Sequence, residues 1–337
     1  MKGICVRSFV RGDEEDVASI HNVAFREWIE SLGNEYDYRY ITPEDVSAWL
    51  NERCANQECL WIAEMNDRAV GYVHCRLDEI HSKKDFKELL FVPTSRDMGQ
   101  SKIAVIPKFR RQGVASALIR ECVKHFESVG ANLAAAVAYS DNEAASKLLD
   151  ESGFVHRERF YYRPYTGEHP WRHDTVYAEL DLGHPVEPPQ RFNPDAVVRR
   201  AREEDAARVA EIFRKSAPWT PFGPKASEDK ILQHYLKGER PETILVAECK
   251  GEVVGVMDFS NNNHRLGIPG VLPEYRKKGI GYTLFYYLLE HMREKGFSKA
   301  VADTGIILSD AIKMYKQFNF NIAREQYSWI KMLNGDS

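Results

Sequence analysis

No stretch of the sequence approaches the roughly 20 consecutive apolar residues of a membrane span. The opening Met1, Lys2, Gly3 and Ile4 lack the apolar core of a secretory signal. Membrane and secreted classes are therefore not expected, and a cytoplasmic location is. Cysteine is sparse: the six, Cys5, Cys54, Cys59, Cys75, Cys122 and Cys249, form no CxxC pair and read as free thiols of a reducing compartment. Neither HExxH nor a repeated Cys/His spacing occurs, so no metal is expected. Excess charge is lacking too. A formal net charge of -4 gives no support to a nucleic-acid partner held by bulk electrostatics. What remains is a globular balance, 43% hydrophobic and 28% charged, in 337 residues, enough for two cores.

The chain repeats itself. Val6-Arg7 followed by the acidic run Asp13 to Asp16 matches Val198-Arg199 followed by Glu203-Glu204-Asp205, and each leads into a segment with helical apolar spacing. Leu60 to Glu64 and Ala69 to Val73, around Asn66-Asp67, match Ile244 to Glu248 and Val253 to Met257, around Lys250-Gly251; both read as β-hairpins. Gly71 and Gly255 lie 184 positions apart, whereas Arg110 and Arg276 lie 166 apart, so the first half holds 18 extra residues within Asp78 to Gly99. A long loop of that kind suits a lid or a substrate wall. Pro185, Pro188, Pro189 and Pro194 mark a stiff joint. The expected division is 1–183, a linker 184–196, and 197–337.

Each half then carries a strand, a proline, a basic turn and a helix that starts on small residues. The first reads Ile103-Ala104-Val105-Ile106-Pro107-Lys108-Phe109-Arg110-Arg111-Gln112-Gly113-Val114-Ala115. The second reads Gly270-Val271-Leu272-Pro273-Glu274-Tyr275-Arg276-Lys277-Lys278-Gly279-Ile280-Gly281. Bare N–H groups and the positive end of a helix dipole make such a turn an anion site, and glycine lets a phosphate approach the backbone. The arginines and lysines are expected to screen the remaining charge. One RxxGxG/A is weak evidence; two at matching places in a repeat are strong.

These turns resemble the central motif of the GNAT superfamily, and the resemblance extends over both halves. Downstream it takes in Asp141-Asn142-Glu143 through Leu148-Leu149 and Gly153-Phe154, then Asp310-Ala311 through Met314-Tyr315 and Asn319-Phe320. It implies an α/β fold (α+β layered) of two domains, each a mixed, splayed β-sheet flanked by helices. The tandem layout is similar to that of mycothiol synthase. It also implies acetyl-CoA in the splay, held at the two turns and near Val105 and Val271, with Asn142 beside the first, and an N-acetyltransferase acting on an amine of a small molecule or protein. The expected partners are acetyl-CoA and that amine, without nucleic acid, membrane or metal, in a monomer or homodimer.

The halves depart from the family pattern in different places. Seven residues after the motif's asparagine the family often has a tyrosine that serves the leaving thiolate. The first half has Asn142 but Leu149; the second has Tyr315 but Leu308. Tyr315 therefore favours the second half as the catalytic one, with a packed core aromatic as the other reading. Asp258 and His264 are candidates to relay the acceptor's proton, and Asp78, Glu79 and His81 stand at the matching place in the first half. Glu64 and Glu248 read as hairpin residues. Trp28, Tyr36, Tyr38 and Tyr40, and Trp219, Phe222 and Tyr235, mark the acceptor side; Glu27, Glu30, Glu35 and Asp37 would suit a cationic acceptor or only solvate a helix. Because neither half has the whole motif, a non-catalytic acyl-CoA sensor is the alternative.

Overall fold

The computed structural model describes residues 3–32, 38–52, 60–79, 87–90, 102–160, 172–216, 226–238, 243–261, 264–267, 269–306 and 308–333. The chain forms two compact units, one of residues 1–162, 171–174 and 326–337, the other of 163–170 and 175–325.

The first unit runs through β1 (Cys5–Ser8), α1 (Glu14–Ala24), α2 (Arg26–Leu32), α3 (Pro43–Glu52), β2 (Leu60–Glu64), β3 (Ala69–His74), β4 (Arg76–Glu79), β5 (Lys87–Leu90) and β6 (Ile103–Val105). It continues with α4 (Val114–Ser128), β7 (Leu133–Tyr139), α5 (Glu143–Glu151), β8 (Val155–His156), β9 (Arg159–Phe160) and β10 (Arg172–His173). The second takes up β11 (Thr175–Asp181), β12 (Val197–Arg200), α6 (Ala206–Ser216), α7 (Glu228–Ile231), β13 (Ile244–Cys249), β14 (Glu252–Asp258), β15 (Gly270–Val271), α8 (Ile280–Glu294), β16 (Lys299–Gly305) and α9 (Ser309–Gln317). The chain's last strand is β17 (Asn321–Met332).

The repeat is visible element by element. One four-stranded antiparallel sheet has the order β1-β2-β3-β6, and its counterpart β12-β13-β14-β15. The two hairpins turn where expected: Asn66 and Asp67, like Lys250 and Gly251, all have positive φ, the pairing that matches strand twist in a two-residue turn. Gly71 and Gly255 are required by packing. A Cβ on Gly71 would lie 3.1 Å from Val114, and one on Gly255 2.8 Å from Leu284, so each glycine lets the following helix settle on the sheet.

Each sheet carries apolar layers on both faces. In the first unit Leu118, Cys122 and Phe126 of α4 pack with Val70 and Val73 on one side, while Val17, Ile20 and Trp49 pack with Ile62 and Tyr72 on the other. In the second, Leu284, Leu288 and Met292 cover one face, and Val209, Ile212 and Phe213 the opposite one. Paired clamps hold the edges. Arg7 binds Asp13 through both terminal nitrogens and Glu64 through Nε; Arg199 does the same with Asp205 and Glu248. Hydrogen bonding from Arg7 keeps the Asp13 carboxyl below the ordinary range. Glu64 and Glu248 are thus structural partners of arginine.

The closing strands are exchanged. Residues Gln326–Met332 of β17, at the chain's end, pair antiparallel with β7 and belong to the first unit. Strand β11, which follows the first half's elements, pairs with β16 over Thr175–Asp181 in the second. The division expected at residues 183 and 197 would give each half its own last strand; the hydrogen-bond ladders assign them crosswise.

Candidate active site

A splay opens in each unit. In the second, Arg265 bridges Val301 in parallel, and the Val301 backbone is bonded to His264 and Leu266. Further along, the chain leaves β16 and rejoins β14 as β15, so Gly270-Val271 and Asp303 to Gly305 diverge. In the first, Leu90 of β5 pairs in parallel with Ala135 of β7, and β6 then pairs back on β3. The hairpin β4–β5 grows out of the 18-residue insertion expected to act as a lid or wall; His81, Glu35, Tyr36, Asp37, Trp219, Phe222, Cys54 and Cys59 lie outside the described residues.

Antiparallel ladders alternate, and that alternation decides which groups face the splay. Ile106 N–H bonds Val70 O, and Leu272 N–H bonds Val254 O, so Val105 and Val271 turn their own N–H and C=O to the open side. Their carbonyls are taken: Arg110 Nε donates to Val105 O at 3.2 Å, and Arg276 Nε to Val271 O at 3.1 Å. The same guanidiniums reach back to Ala24 O, at the end of α1, and to Ser216 O, at the end of α6. The arginines expected to screen phosphate brace the turn instead. What they leave at the splay is the N–H of each valine.

The two turns have one geometry. Arg111 and Lys277 have φ near 60° (62° and 61°), and Gly113 and Gly279 are left-handed at 85° and 81°, each acting as N-cap of a 15-residue helix. The first intrahelical donors are Ala117, to Gly113 O, and Thr283, to Gly279 O, so Val114, Ala115 and Ser116, like Ile280, Gly281 and Tyr282, present bare N–H groups. Arg111, Gln112, Lys277 and Lys278 are exposed around them. Such a cradle of bare N–H groups fits a pyrophosphate.

Asn142, expected at the cofactor, caps α5 with its side chain by accepting from Ala145 N–H at 3.1 Å. Leu308 in the matching place provides no such cap. Asn319 takes the left-handed role of Gly153, with φ of 59° against 80°. Leu149 is buried in the first core. Tyr315 packs against Phe285 and Phe320, yet its hydroxyl donates to Asp303 O at 3.1 Å. Leu182 N–H bonds Ser298 O, which sets the β11–β16 alternation so that Asp303 O faces the splay. The phenol is both a core aromatic and a group at the gap. Burial first, and the Asp303 charge second, push its pKa up and keep it protonated.

Asp258 accepts Gly267 N–H on its carbonyl, and its carboxylate lies where a Gly267 Cβ would stand. His264 has φ of 55°, and its ring meets Phe297 edge-on at 5.0 Å.

At the first splay stands a cluster that sequence reading saw only in part. Trp28 and Tyr38 meet each other and Tyr139, at the end of β7, and Tyr38 also meets Phe25, with the Lys102 ammonium 3.9 Å above the Tyr38 ring. Tyr40 is exposed and bonds Glu30, and Tyr235 stacks on Phe213. Phe25, Lys102 and Tyr139 carry no motif and meet only through the fold.

Below this cluster His21 is buried, with Nε2 at 3.2 Å from Arg39 O and Nδ1 at 2.7 Å from the Tyr72 hydroxyl. A carbonyl only accepts, so Nε2 carries the proton and Tyr72 donates to Nδ1. Burial first, then the Lys102 charge, lower the His21 pKa to about 3. The unfolded chain takes a proton below about pH 6.5 and the folded one does not, so this stability is complete above 6.5 and lost toward pH 3. Denaturant unfolding at pH 5 is expected to show about 2 kcal/mol less stability from this group than at pH 7.5. In His21→Asn the difference between the two pH values should shrink by that amount; an unchanged difference would assign the acid sensitivity elsewhere.

Against this geometry stand the comparisons. The acetyltransferase (GNAT) family model matches residues 15–154 and 206–320, most of the chain and once in each half. The chain belongs to the GNAT acetyltransferase family. The family's acyl donor is acetyl-CoA. Human N-acetyltransferase 8 is 29% identical over 119 residues, which are 32% of this chain and 52% of that protein; the chain thus spans about half the length of this relative. Among solved structures, the GCN5-related N-acetyltransferase from Sphaerobacter thermophilus aligns with TM-score 0.66 and 14% identity over 98% of this chain and 96% of the other. A tandem GNAT protein from the clavulanic acid biosynthesis pathway aligns with TM-score 0.66 and 13% identity over 99% and 100%. At those identities the likeness speaks to fold, which is the tandem α/β arrangement expected. Among the described residues no helix is long and apolar enough to cross a membrane, and no group of three or more His, Cys, Asp or Glu is placed to hold a metal.

Proposed function

We propose that this GNAT acetyltransferase moves an acetyl group from acetyl-CoA to a primary amine of a small molecule or protein, and that the second half performs the transfer. The observation that carries this is the placement of Tyr315 O–H on the Asp303 carbonyl at the splay, in the domain where Val271 turns its N–H to the same opening. Bound acetyl-CoA supplies an activated acyl thioester. The chain supplies the rest. Gly279, Ile280 and Gly281 offer N–H groups to the pyrophosphate, with Lys277 and Lys278 beside them, and Val271 N–H meets the charge that grows on the acyl oxygen. Tyr315, protonated at neutral pH, returns a proton to the departing sulfur.

For the acceptor's proton Asp258 is the stronger of the two candidates, because its carboxylate is set against Gly267, whereas the His264 ring packs on Phe297. The first half offers the same cradle at Gly113 to Ala115 and the same N–H at Val105, but Leu149 where the phenol would be. We assign it cofactor binding without transfer.

Thiol release in the presence of an amine panel tests this. Tyr315→Phe is expected to lower kcat by about 100-fold, with KM for acetyl-CoA little changed. Unchanged turnover in Tyr315→Phe together with loss of turnover in Gly113→Trp would move the reaction to the first half. Binding of acetyl-CoA with no turnover across a broad panel would favour the sensor.

A further inference from the structure

The proline-rich segment between the halves does more than join them. It lies along α8 within the second unit. Val186 N–H bonds Glu290 Oε1 at 2.7 Å near the helix's C-terminal end, Phe192 meets Tyr286 and Tyr287, and Asn193 reaches the cofactor turn at the N-terminal end. There its polar groups are all engaged. The side-chain amide donates to Lys278 O at 2.7 Å and accepts from Asp195 N–H at 3.0 Å; the backbone N–H donates to Thr283 Oγ1 at 2.8 Å, and Thr283 Oγ1 donates to Gly279 O at 3.1 Å. Asn193 carbonyl accepts from Ala196 N–H at 3.3 Å.

We infer that Asn193 is a positioning residue that presets the second turn for the pyrophosphate of its acyl donor. A trans peptide is planar, with C=O and N–H pointing opposite ways. Fixing Lys278 O toward Asn193 therefore fixes Gly279 N–H toward the cradle. The constraint matters at this peptide because glycine at φ of 81° leaves the Lys278–Gly279 plane free to rotate, and a plane turned over would aim a carbonyl oxygen at an anion. Thr283 holds the next carbonyl along, Gly279 O, away in the same manner. The first turn has the same backbone without this brace: Ala117 stands where Thr283 does, and among the described residues no side chain donates to Gln112 O. A preset site binds more tightly because less ordering is left to binding.

The inference rests on transfer in the second half, and the test separates the two. Acetyl-CoA and S-acetylpantetheine carry the same thioester, but only the first has a pyrophosphate. With acetyl-CoA, Asn193→Ala is expected to raise KM about 5- to 10-fold at nearly constant kcat. Asn193→Asp, which replaces the amide donor by a negative charge, is expected to raise it further. With S-acetylpantetheine both variants should match the parent in kcat/KM. Equal losses with the two donors would overturn the positioning role in favour of general support of the domain, and so would an unchanged KM for acetyl-CoA. Calorimetric titration with CoA keeps the result independent of which half reacts. In a Gly113→Trp background Asn193→Ala should weaken the remaining site by the same factor, and equal affinities would overturn the inference even if Tyr315→Phe behaves as expected.

Discussion

Separating the halves between Gly183 and Val197 is expected to give two fragments that do not fold alone and regain structure and activity only when co-expressed. The reason is the crossed closing strands. A fragment ending at Gly183 lacks Gln326–Met332, which pair with all seven residues of β7. It also carries β11, whose partner β16 is in the other fragment. The lost ladder takes buried contacts with it: Trp329 and Leu333 pack on the first core, and Asp174 accepts Ser328 N–H at 2.7 Å. A strand's worth of hydrogen bonds at about 1 kcal/mol each, with buried amides left unpaired, amounts to roughly the 5–15 kcal/mol that holds an ordinary domain folded. The exposed edges would also template aggregation. Circular dichroism and size exclusion on each fragment, alone and co-expressed, measure this. An isolated 197–337 fragment with full activity would show that the exchanged strand is dispensable.

This exchange was not legible in the sequence, and the reason is physical. Nothing local in β11 or β17 states which sheet edge each will complete; partner choice is a tertiary property. The repeat, by contrast, was legible in detail. Asn66-Asp67 and Lys250-Gly251 announce two-residue turns by residue type, and the segment from Pro107 to Ala115 announces a strand end and a helix start by spacing. Asn319 in place of the usual glycine also behaves as its chemistry suggests, with a positive φ.

The site was half legible. Residue types pointed to the two turns, where the fold leaves N–H groups bare, and to Tyr315, whose hydroxyl bonds Asp303 O. They misassigned the direction of Arg110 and Arg276, because an arginine beside an anion site looks the same in sequence whether it faces the anion or braces the backbone behind it. Likewise Asn142 was expected at the cofactor and is a helix cap, a role its position before Glu143-Ala144-Ala145 equally allows. The cluster of Phe25, Trp28, Tyr38, Lys102 and Tyr139 gathers residues from three distant segments, and only the fold brings them together.

The two cap glycines should respond very differently to the same substitution, although their backbones are nearly superposable. Gly113→Ala forces an alanine to φ near 85°, at about 1–2 kcal/mol, but meets only Ile4 at 3.7 Å. Gly279→Ala has that strain and a second cost. A Cβ there would run into the Arg191 carbonyl oxygen and lie 3.3 Å from Asn193 N, so the linker must lift from α8. Lifting it releases Asn193 from Lys278 and Thr283, which removes two hydrogen bonds of roughly 1 kcal/mol each. We therefore expect Gly279→Ala to destabilise the second unit by about 3–4 kcal/mol, at least twice the effect of Gly113→Ala. Urea unfolding followed by the fluorescence of single-tryptophan variants would read each unit's midpoint. The same experiment discriminates the cause: in an Asn193→Ala background the excess cost of Gly279→Ala should fall by about 1 kcal/mol, since part of what the methyl displaces is already gone. Strict additivity of the two substitutions would mean that the linker contact and the turn are energetically independent.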